Sequence, residues 1–365
     1  MTLGLAQNDK LSSKERVVRT FNYEIPDRVP VNYMYNPEID KRLKGYFSLQ
    51  PTDDEGLRQA LGIDFRVINA PYVGPLLYAP IPERKVDPLL GFRTRWVPHE
   101  TGGYWEYCDY PLVEGDVETA KNFPFPDPDY FDYDSLEEQV KEYKDYALVL
   151  GSNGLGTVIC RLGFYMGMSE ALIALQLEDP AALILMDRLL DFQLKHLERM
   201  LHQVGDRVQL IWMGEDLGTQ IGPLIGMKLF DRQILPRHQN FFDLAKAYNV
   251  PVMIHTCGSS SWSYEKYIQA GLRAVDTLQP EVKDMSPSYL KKTFGGRLVF
   301  HGCISTRGAV AYGTPEEVER EVLETLEIMM PGGGYCLAPT HRLQDNTPLE
   351  NAIAMYTAAH KYGHY

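Results

Sequence analysis

Residues 208–258 read VQLIWMGEDLGTQIGPLIGMKLFDRQILPRHQNFFDLAKAYNVPVMIHTCG and contain one strand–helix–strand unit. Two short apolar runs, Val208 to Met213 and Pro251 to His255, flank a longer stretch with apolar residues at helical spacing. Short buried strands that alternate with helices are typical of a parallel sheet, because each helix returns the chain to the same edge. This stretch therefore predicts an α/β fold.

The same alternation recurs along most of the chain. Eight apolar runs are predicted as strands: Val29 to Tyr35, Asp64 to Ala70, Ala147 to Ser152, Val208 to Met213, Pro251 to His255, Ala274 to Leu278, Leu298 to His301 and Gly334 to Leu337. The later runs are separated by predicted helices at Met227 to Tyr248, Ser261 to Ala270, Ser286 to Phe294 and Pro315 to Met329. Eight repeats favour a closed (β/α)8 barrel of the TIM type. An open doubly wound sheet is the alternative, although the glycine fingerprint expected after its first strand is absent.

One segment interrupts the alternation. Glu83 to Pro111 combines aromatic residues with the turn residues Gly102 and Gly103, which predicts a β-hairpin insertion near the barrel mouth. Residues 122–134 are rich in proline and acidic residues, which predicts a connector without regular structure. We expect residues 1–365 to form a single barrel domain in which 83–134 are insertion and connector.

Composition excludes several classes of protein. The 365 residues include 36 basic and 49 acidic side chains, and the net charge of -13 would repel nucleic acids and anionic membranes. Residues 1–16 contain no apolar leader segment and no run reaches the length of a membrane span, so we expect a cytoplasmic protein. Five cysteines without a secretion signal indicate reduced thiols that are free to bind metal.

Candidate metal ligands lie at predicted strand ends, where the loops of a β/α barrel converge on one mouth. His255 and Cys257 are two residues apart, so both side chains of an extended strand point the same way. His301 and Cys303 repeat this spacing, and periodicity alone leaves open which pair binds a metal. Cys336, at the end of the last run, can supply a third ligand. Imidazole and thiolate are the ligands that zinc prefers.

Other polar and aromatic residues at the strand ends are candidates for catalysis and substrate binding. Glu215 and Asp216 are adjacent, so we expect only one of them to enter the mouth, as a base, a ligand or a partner of a metal histidine. The predicted substrate-binding residues are Tyr33, Tyr35, Tyr165, Trp212, Met213 and His341.

Taken together, these motifs resemble the uroporphyrinogen decarboxylase superfamily over nearly the whole chain. The resemblance rests on KERVVR at 14–19, PDRVPV at 26–31, GEDLGTQIGPLI at 214–225, HTCG at 255–258, HGCIST at 301–306 and PGGGYCLAPTH at 331–341 followed by Asn346, Thr347 and Pro348. It implies a β/α barrel, in agreement with the alternation of strands and helices.

The branches of this superfamily differ in chemistry. True decarboxylases carry an arginine-rich loop after the first strand, but residues 30–37 here read PVNYMYNP and contain no arginine. The resemblance therefore implies the branch of zinc-dependent methyltransferases, in which His255, Cys257 and Cys336 match the metal motif. A metal-free decarboxylase or lyase of the same superfamily is the alternative.

Methyltransferases of this branch exchange the methyl group with a corrinoid. The chain lacks a cobalamin-binding Asp-x-His-x-x-Gly segment, so the resemblance implies a partner protein that carries the corrinoid. With no cluster of arginines among the predicted pocket residues, we expect an uncharged or aromatic methyl donor, in particular a methoxylated aromatic, rather than a small anionic thiol such as coenzyme M. The sequence leaves self-association open.

Overall fold

The computed structural model describes residues 9–99, 102–112 and 115–365. Strands and helices alternate through most of this range. The regular elements are, in chain order, α1 (Ser13–Phe21), α2 (Pro37–Tyr46), α3 (Asp54–Ala60), β1 (Phe65–Val67), β2 (Lys85–Val86), β3 (Arg93–His99), β4 (Gly102–Cys108), α4 (Val117–Asn122), α5 (Ser135–Glu142), β5 (Ala147–Gly151), α6 (Ile159–Met166), α7 (Met168–Leu177), α8 (Pro180–Val204), β6 (Leu210–Gly214), α9 (Met227–Leu229), α10 (Leu235–Ala247), β7 (Val252–Thr256), α11 (Tyr264–Ala270), β8 (Ala274–Thr277), α12 (Pro287–Phe294), β9 (Val299–Ile304), α13 (Ala309–Tyr312), α14 (Pro315–Met329), β10 (Tyr335–Pro339) and α15 (Leu349–Tyr362).

The main sheet consists of seven parallel strands in the order β1-β5-β6-β7-β8-β9-β10, which is the order of the chain. Each strand therefore pairs with the next parallel strand after a helical crossover, as the sequence predicted. The sheet is curled, and with its surrounding helices it has the architecture of a TIM-type barrel. The predicted fold class is confirmed.

The predicted first strand, Val29 to Tyr35, is not a regular strand. Its backbone nevertheless connects the two edges of the sheet, because Leu337 N donates to Pro30 O at 2.8 Å and Asp64 N donates to Val31 O at 3.0 Å. Pro30 has no N–H to donate, and the N–H of Val31 is taken by the Asp64 side chain at 2.7 Å. This side of the barrel is consequently joined by isolated bridges instead of a full ladder.

The opening motifs at 14–19 and 26–31 meet in a buried ion-pair cluster. Arg16 and Arg28 each place a guanidinium nitrogen 2.7 Å from a different carboxylate oxygen of Asp64. Asp64 is fully buried, and although burial opposes its ionisation, the two arginines lower its pKa. These motifs are therefore structural, because their ion pairs hold α1 and residues 26–31 against the start of β1.

The hairpin insertion forms a separate antiparallel sheet of β2, β3 and β4, as predicted. Its inner face reaches the barrel, since the ring of Tyr107 stacks on Phe164 of α6 with centroids 3.7 Å apart. Further along the same face, the cross-strand pair Trp96 and Trp105 is exposed. The insertion thus forms one wall beside the barrel mouth.

The predicted helices between the later strands are present. Met227 to Tyr248 includes one π-helical turn at Phe230–Ile234, and Ser261 to Ala270 begins with a 3-10 turn. Pro315–Met329 agrees with its predicted bounds and begins with a capping box of Thr314 and Glu317. Among the described residues, no helix is long and apolar enough to cross a membrane.

Candidate metal centre at the barrel mouth

Side chains from three strand ends converge at the mouth of the barrel. The strands β6, β7 and β10 end at Gly214, Thr256 and Pro339, and the chain leaves each of them toward the same side. The predicted chemical groups on or just after these strands are Glu215, Asp216, His255, Cys257 and His341. All five line one cavity of about 250 Å³.

His255, Cys257 and His341 form a group of potential metal ligands. One ligand atom from each lies within 4.8 Å of the other two, and Nε2 of His255 is 3.4 Å from Sγ of Cys257. Burial raises the pKa of the Cys257 thiol. Burial, together with the positive charges of His255 and Arg342, lowers the pKa of His341 and so favours the neutral imidazole that a metal requires.

Asp276 fixes the orientation of His255 from the next strand. Its Oδ2 lies 2.8 Å from Nδ1 of His255, and its Oδ1 lies 2.7 Å from Nδ1 of His301. Nε2 of His301 in turn faces Nδ2 of Asn32 at 3.0 Å. Because the Asn32 amide donates there, His301 carries its proton on Nδ1 and donates it to Asp276.

The charge of Asp276 is retained although the residue is fully buried. Burial opposes ionisation, but the electrostatic effect of His301 and the hydrogen bonds from both histidines hold the pKa of Asp276 well below its usual range. Burial also lowers the pKa of His255, yet its hydrogen bonds with Asp276 and Cys257 outweigh this and raise the pKa. Metal binding would displace the proton on Nε2, and the anionic Asp276 would then hold the remaining proton of His255 on Nδ1.

Glu215 and Asp216 both line the cavity, whereas the sequence predicted that only one would enter it. Strand β6 ends at Gly214, so the alternation of faces does not extend to these two residues. Glu215 accepts the backbone N–H of Val158 at 2.7 Å, and burial raises its pKa to about 8. Asp216 accepts the backbone N–H of Cys257 at 3.0 Å and thereby positions that residue.

A second cavity, of about 350 Å³, adjoins the first and shares its residues Asn153, His255, His341 and Arg342. The metal-ligand group lies where the two cavities meet. The side chains that line only the second cavity include Met34, Tyr35 and Trp212, which are largely apolar. The first cavity is more polar and contains a second arginine, Arg161.

Residues 158–362, more than half of the chain, match the uroporphyrinogen decarboxylase (URO-D) family. The chain belongs to this family. The match includes every residue of the metal-ligand group and the carboxylates beside it, and it agrees with the resemblance that the motifs indicated. No curated protein matches the chain in sequence.

Among solved structures, a methyltransferase from Methanosarcina mazei has the same fold. The TM-score is 0.65 at 16% sequence identity, and the alignment covers 97% of this chain and 99% of that chain. Dispersin B gives a TM-score of only 0.32 at 10% identity, over 69% of this chain and 85% of that chain, too low to support any argument. At this identity the comparison shows the fold alone, which the two proteins share over nearly the whole of both chains.

The predicted third ligand, Cys336, is not part of the metal-ligand group. The register runs from His255 through Asp276 and His301 to Cys336, so that Cys336 lies three strands away from His255. Cys336 is fully buried among apolar side chains, while His341 reaches the group from the loop after β10.

Cys303 is also remote from the metal-ligand group, although it repeats the spacing of the first pair. Gly302 and Cys303 have φ values of 128° and 73°, which interrupts the alternation of the strand. A side chain at Gly302 would lie 2.3 Å from the carbonyl oxygen of Thr277. His301 consequently faces Asp276, while Cys303 joins the core outside the barrel and lines a different cavity.

The predicted substrate-binding residues divide into two sets. Tyr35, Trp212 and His341 line the cavities at the mouth. The others lie outside both cavities: Tyr33 contacts Asp40 at 3.2 Å, Tyr165 donates to Leu90 O at 2.8 Å, and Met213 is fully buried in the core.

Several functional candidates were not singled out by the sequence. Asp276, Arg161, Arg342 and Asn153 are examples, and only Asp276 carried a signal, as an ionisable residue within an apolar strand. Cys160 also lines the first cavity, and its thiol donates to Asp216 at 3.5 Å.

Proposed function

We propose that this URO-D family protein is a zinc-dependent methyltransferase that exchanges a methyl group with the cobalt of a corrinoid carried by a partner protein. The observation that carries the proposal is the convergence of His255, Cys257 and His341 at the mouth. The sequence resemblance to the methyltransferase branch supports it, as does the shared fold with the methyltransferase from Methanosarcina mazei.

The side chains of this group fit zinc. Two imidazoles and one thiolate are ligands of the preferred type, and three protein ligands leave one coordination position for substrate, as in catalytic zinc sites. Zinc in this position would lower the pKa of a substrate thiol or polarise the oxygen of a methyl ether. The donor set therefore suits methyl transfer in either direction.

The protein's own residues prepare the site. Asp276 would hold the remaining proton of a metal-bound His255 on Nδ1, and Asp216 anchors the backbone of Cys257. His341 adds a neutral imidazole from a separate loop. The buried Glu215, whose pKa is raised to about 8, can hold or release a proton beside the substrate near neutral pH.

Two cavities that meet at the metal-ligand group suit a reaction between two molecules. The substrate can occupy one cavity while the corrinoid of the partner protein approaches through the other. The second cavity, with Met34, Tyr35 and Trp212, offers an apolar surface to a corrin ring.

The test combines elemental analysis with a methyl-transfer assay on Cys257→Ser. The purified protein should contain about one zinc per chain and should form methylcobalamin from an aryl methyl ether, or consume it with a thiol. Cys257→Ser should lose both zinc and activity. The matched control is Cys108→Ser, a change in the hairpin insertion that should retain both. Full methyl transfer by metal-free protein would reject the role of zinc, whereas protein with neither zinc nor methyl transfer would favour the metal-free decarboxylase or lyase.

A further inference from the structure

Two arginines face the first cavity without an acidic partner. Arg161 extends from α6 and Arg342 follows His341 in the loop after β10. Neither guanidinium forms an ion pair with a carboxylate of the described part of the chain. Two unpaired positive charges that line one side of a cavity are a recognition site for an anion.

Arg161 is held in place by the protein. Its guanidinium lies 5.5 Å from the ring centroid of Phe92 and 5.6 Å from that of Phe164, and Nη2 donates to Gly154 O at 3.2 Å. Its Nε is buried and has no hydrogen-bond partner among the described residues. A buried donor without a partner costs free energy unless a ligand satisfies it.

Gly154 leaves room for this arrangement. A Cβ atom at Gly154 would lie 2.3 Å from Nη2 of Arg161, so any larger residue would displace the guanidinium. The Arg161 head group is therefore held by the backbone of Gly154 and by the rings of Phe92 and Phe164. The head group is pre-organised before a ligand binds.

The acidic side chains of the same cavity are already occupied. Glu215 accepts the backbone N–H groups of Val158 and Ile159, and Asp216 accepts from Cys257 N and the Cys160 thiol. Neither carboxylate forms an ion pair with Arg161 or Arg342 in the described part of the chain. Arg342 is exposed at the rim of the cavity. Its positive charge acts to lower the pKa of both Tyr107 and His341, which line the same cavity.

We infer that the first cavity binds the carboxylate of an organic acid, with Arg161 and Arg342 as its charged partners and Tyr107 and Phe164 in contact with its apolar body. This inference rests on the proposed function, because the group that gains or loses methyl would then lie at the metal-ligand group. It adds a carboxylate to the methoxylated aromatic donor that the sequence indicated. The arginines were missed because they are far apart in sequence.

The test compares two probes that differ in charge, 4-methoxybenzoate and 4-methoxybenzamide, by titration calorimetry. We expect the carboxylate to bind at least tenfold more tightly than the amide. In Arg161→Gln and Arg342→Gln the affinity for the carboxylate should fall roughly 10- to 100-fold, and that for the amide should change little. Arg161→Lys should lose less, because it keeps the charge. Arg232→Gln removes an exposed arginine paired with Glu178 and serves as the control.

Each titration is run on both chelator-treated and zinc-loaded protein, because a carboxylate can also bind zinc directly. The inference predicts dependence on the arginines in both forms. Equal affinity for the two probes would overturn it, as would carboxylate binding that requires zinc and is unchanged in both glutamine variants. If carboxylate binding does not depend on the arginines while zinc-dependent methyl transfer is observed, this inference alone is rejected. Arginine-dependent binding without zinc or methyl transfer would reject the proposed function alone.

Discussion

Asp276 lies behind His255, with Oδ2 of the carboxylate 2.8 Å from Nδ1 of the imidazole. The two residues are neighbours in the register of β7 and β8, so the contact follows from strand pairing. A carboxylate behind a ligand histidine fixes its tautomer and increases its basicity. The relationship leads to the first prediction.

We expect Asp276→Asn to weaken zinc binding by roughly 10- to 100-fold, because an amide cannot hold His255 as strongly as a carboxylate. Zinc affinity is measured by competition with a chromogenic chelator, and folding by circular dichroism. Asp243→Asn, on the exposed surface of α10, should bind zinc like the unchanged protein. A folded Asp276→Asn protein with unchanged affinity would show that this carboxylate does not support the metal.

The second prediction concerns the third ligand. His341→Ala should lose at least tenfold in zinc affinity, because the remaining His255 and Cys257 are only two protein ligands. Cys336→Ala should keep its zinc and lose only roughly 1 kcal/mol of stability through a small cavity in the apolar core. Loss of zinc in Cys336→Ala but not in His341→Ala would show that Cys336 is the third ligand, as the sequence resemblance implied.

The third prediction tests the buried ion-pair cluster of Arg16, Arg28 and Asp64. Asp64→Asn leaves two buried arginines without their shared carboxylate, and we expect the free energy of unfolding to fall by about 3–5 kcal/mol. Urea denaturation measures the change. Glu265→Gln removes the exposed partner of Arg297 and should cost less than about 1 kcal/mol. Similar losses in both variants would contradict a structural role for the opening motifs.

The fourth prediction is a loss of stability in acid. Burial lowers the pKa of His196, His238 and His360 to about 4. The unfolded chain takes up these protons below about pH 6.5, so stability is complete above that pH and declines toward pH 4, by at most roughly 3 kcal/mol per histidine. Urea denaturation of metal-free protein at several pH values should show the decline.

Two histidine variants, one buried and one exposed, test whether His238 contributes to this loss of stability in acid. His238→Gln removes a histidine that contacts Tyr267 and Gly156, and the pH dependence of its unfolding free energy should become shallower. His202→Gln, on the exposed side of α8, should leave the slope unchanged. An equal slope in all three proteins would exclude His238 as a source of the decline.

Much of the fold was readable from local patterns. Seven of the eight predicted runs are strands of the sheet, and α14 agrees with the predicted helix because Thr314, Pro315 and Glu317 form a complete start signal. The remaining run, residues 29–35, was predicted as a strand but does not form one. Its apolar pattern is real, but Pro30 cannot donate a hydrogen bond and Asp64 takes the next N–H.

The sequence by itself determined the β/α barrel through its periodicity and the family through its motifs. The resemblance to the methyltransferase branch then selected the pair His255 and Cys257. The tertiary structure decided which more distant groups join them. It brought in His341 and Asp276, and it left Cys336 three strand spacings away. Register, barrel curvature and the direction of a loop determine these distances, and no short segment encodes them.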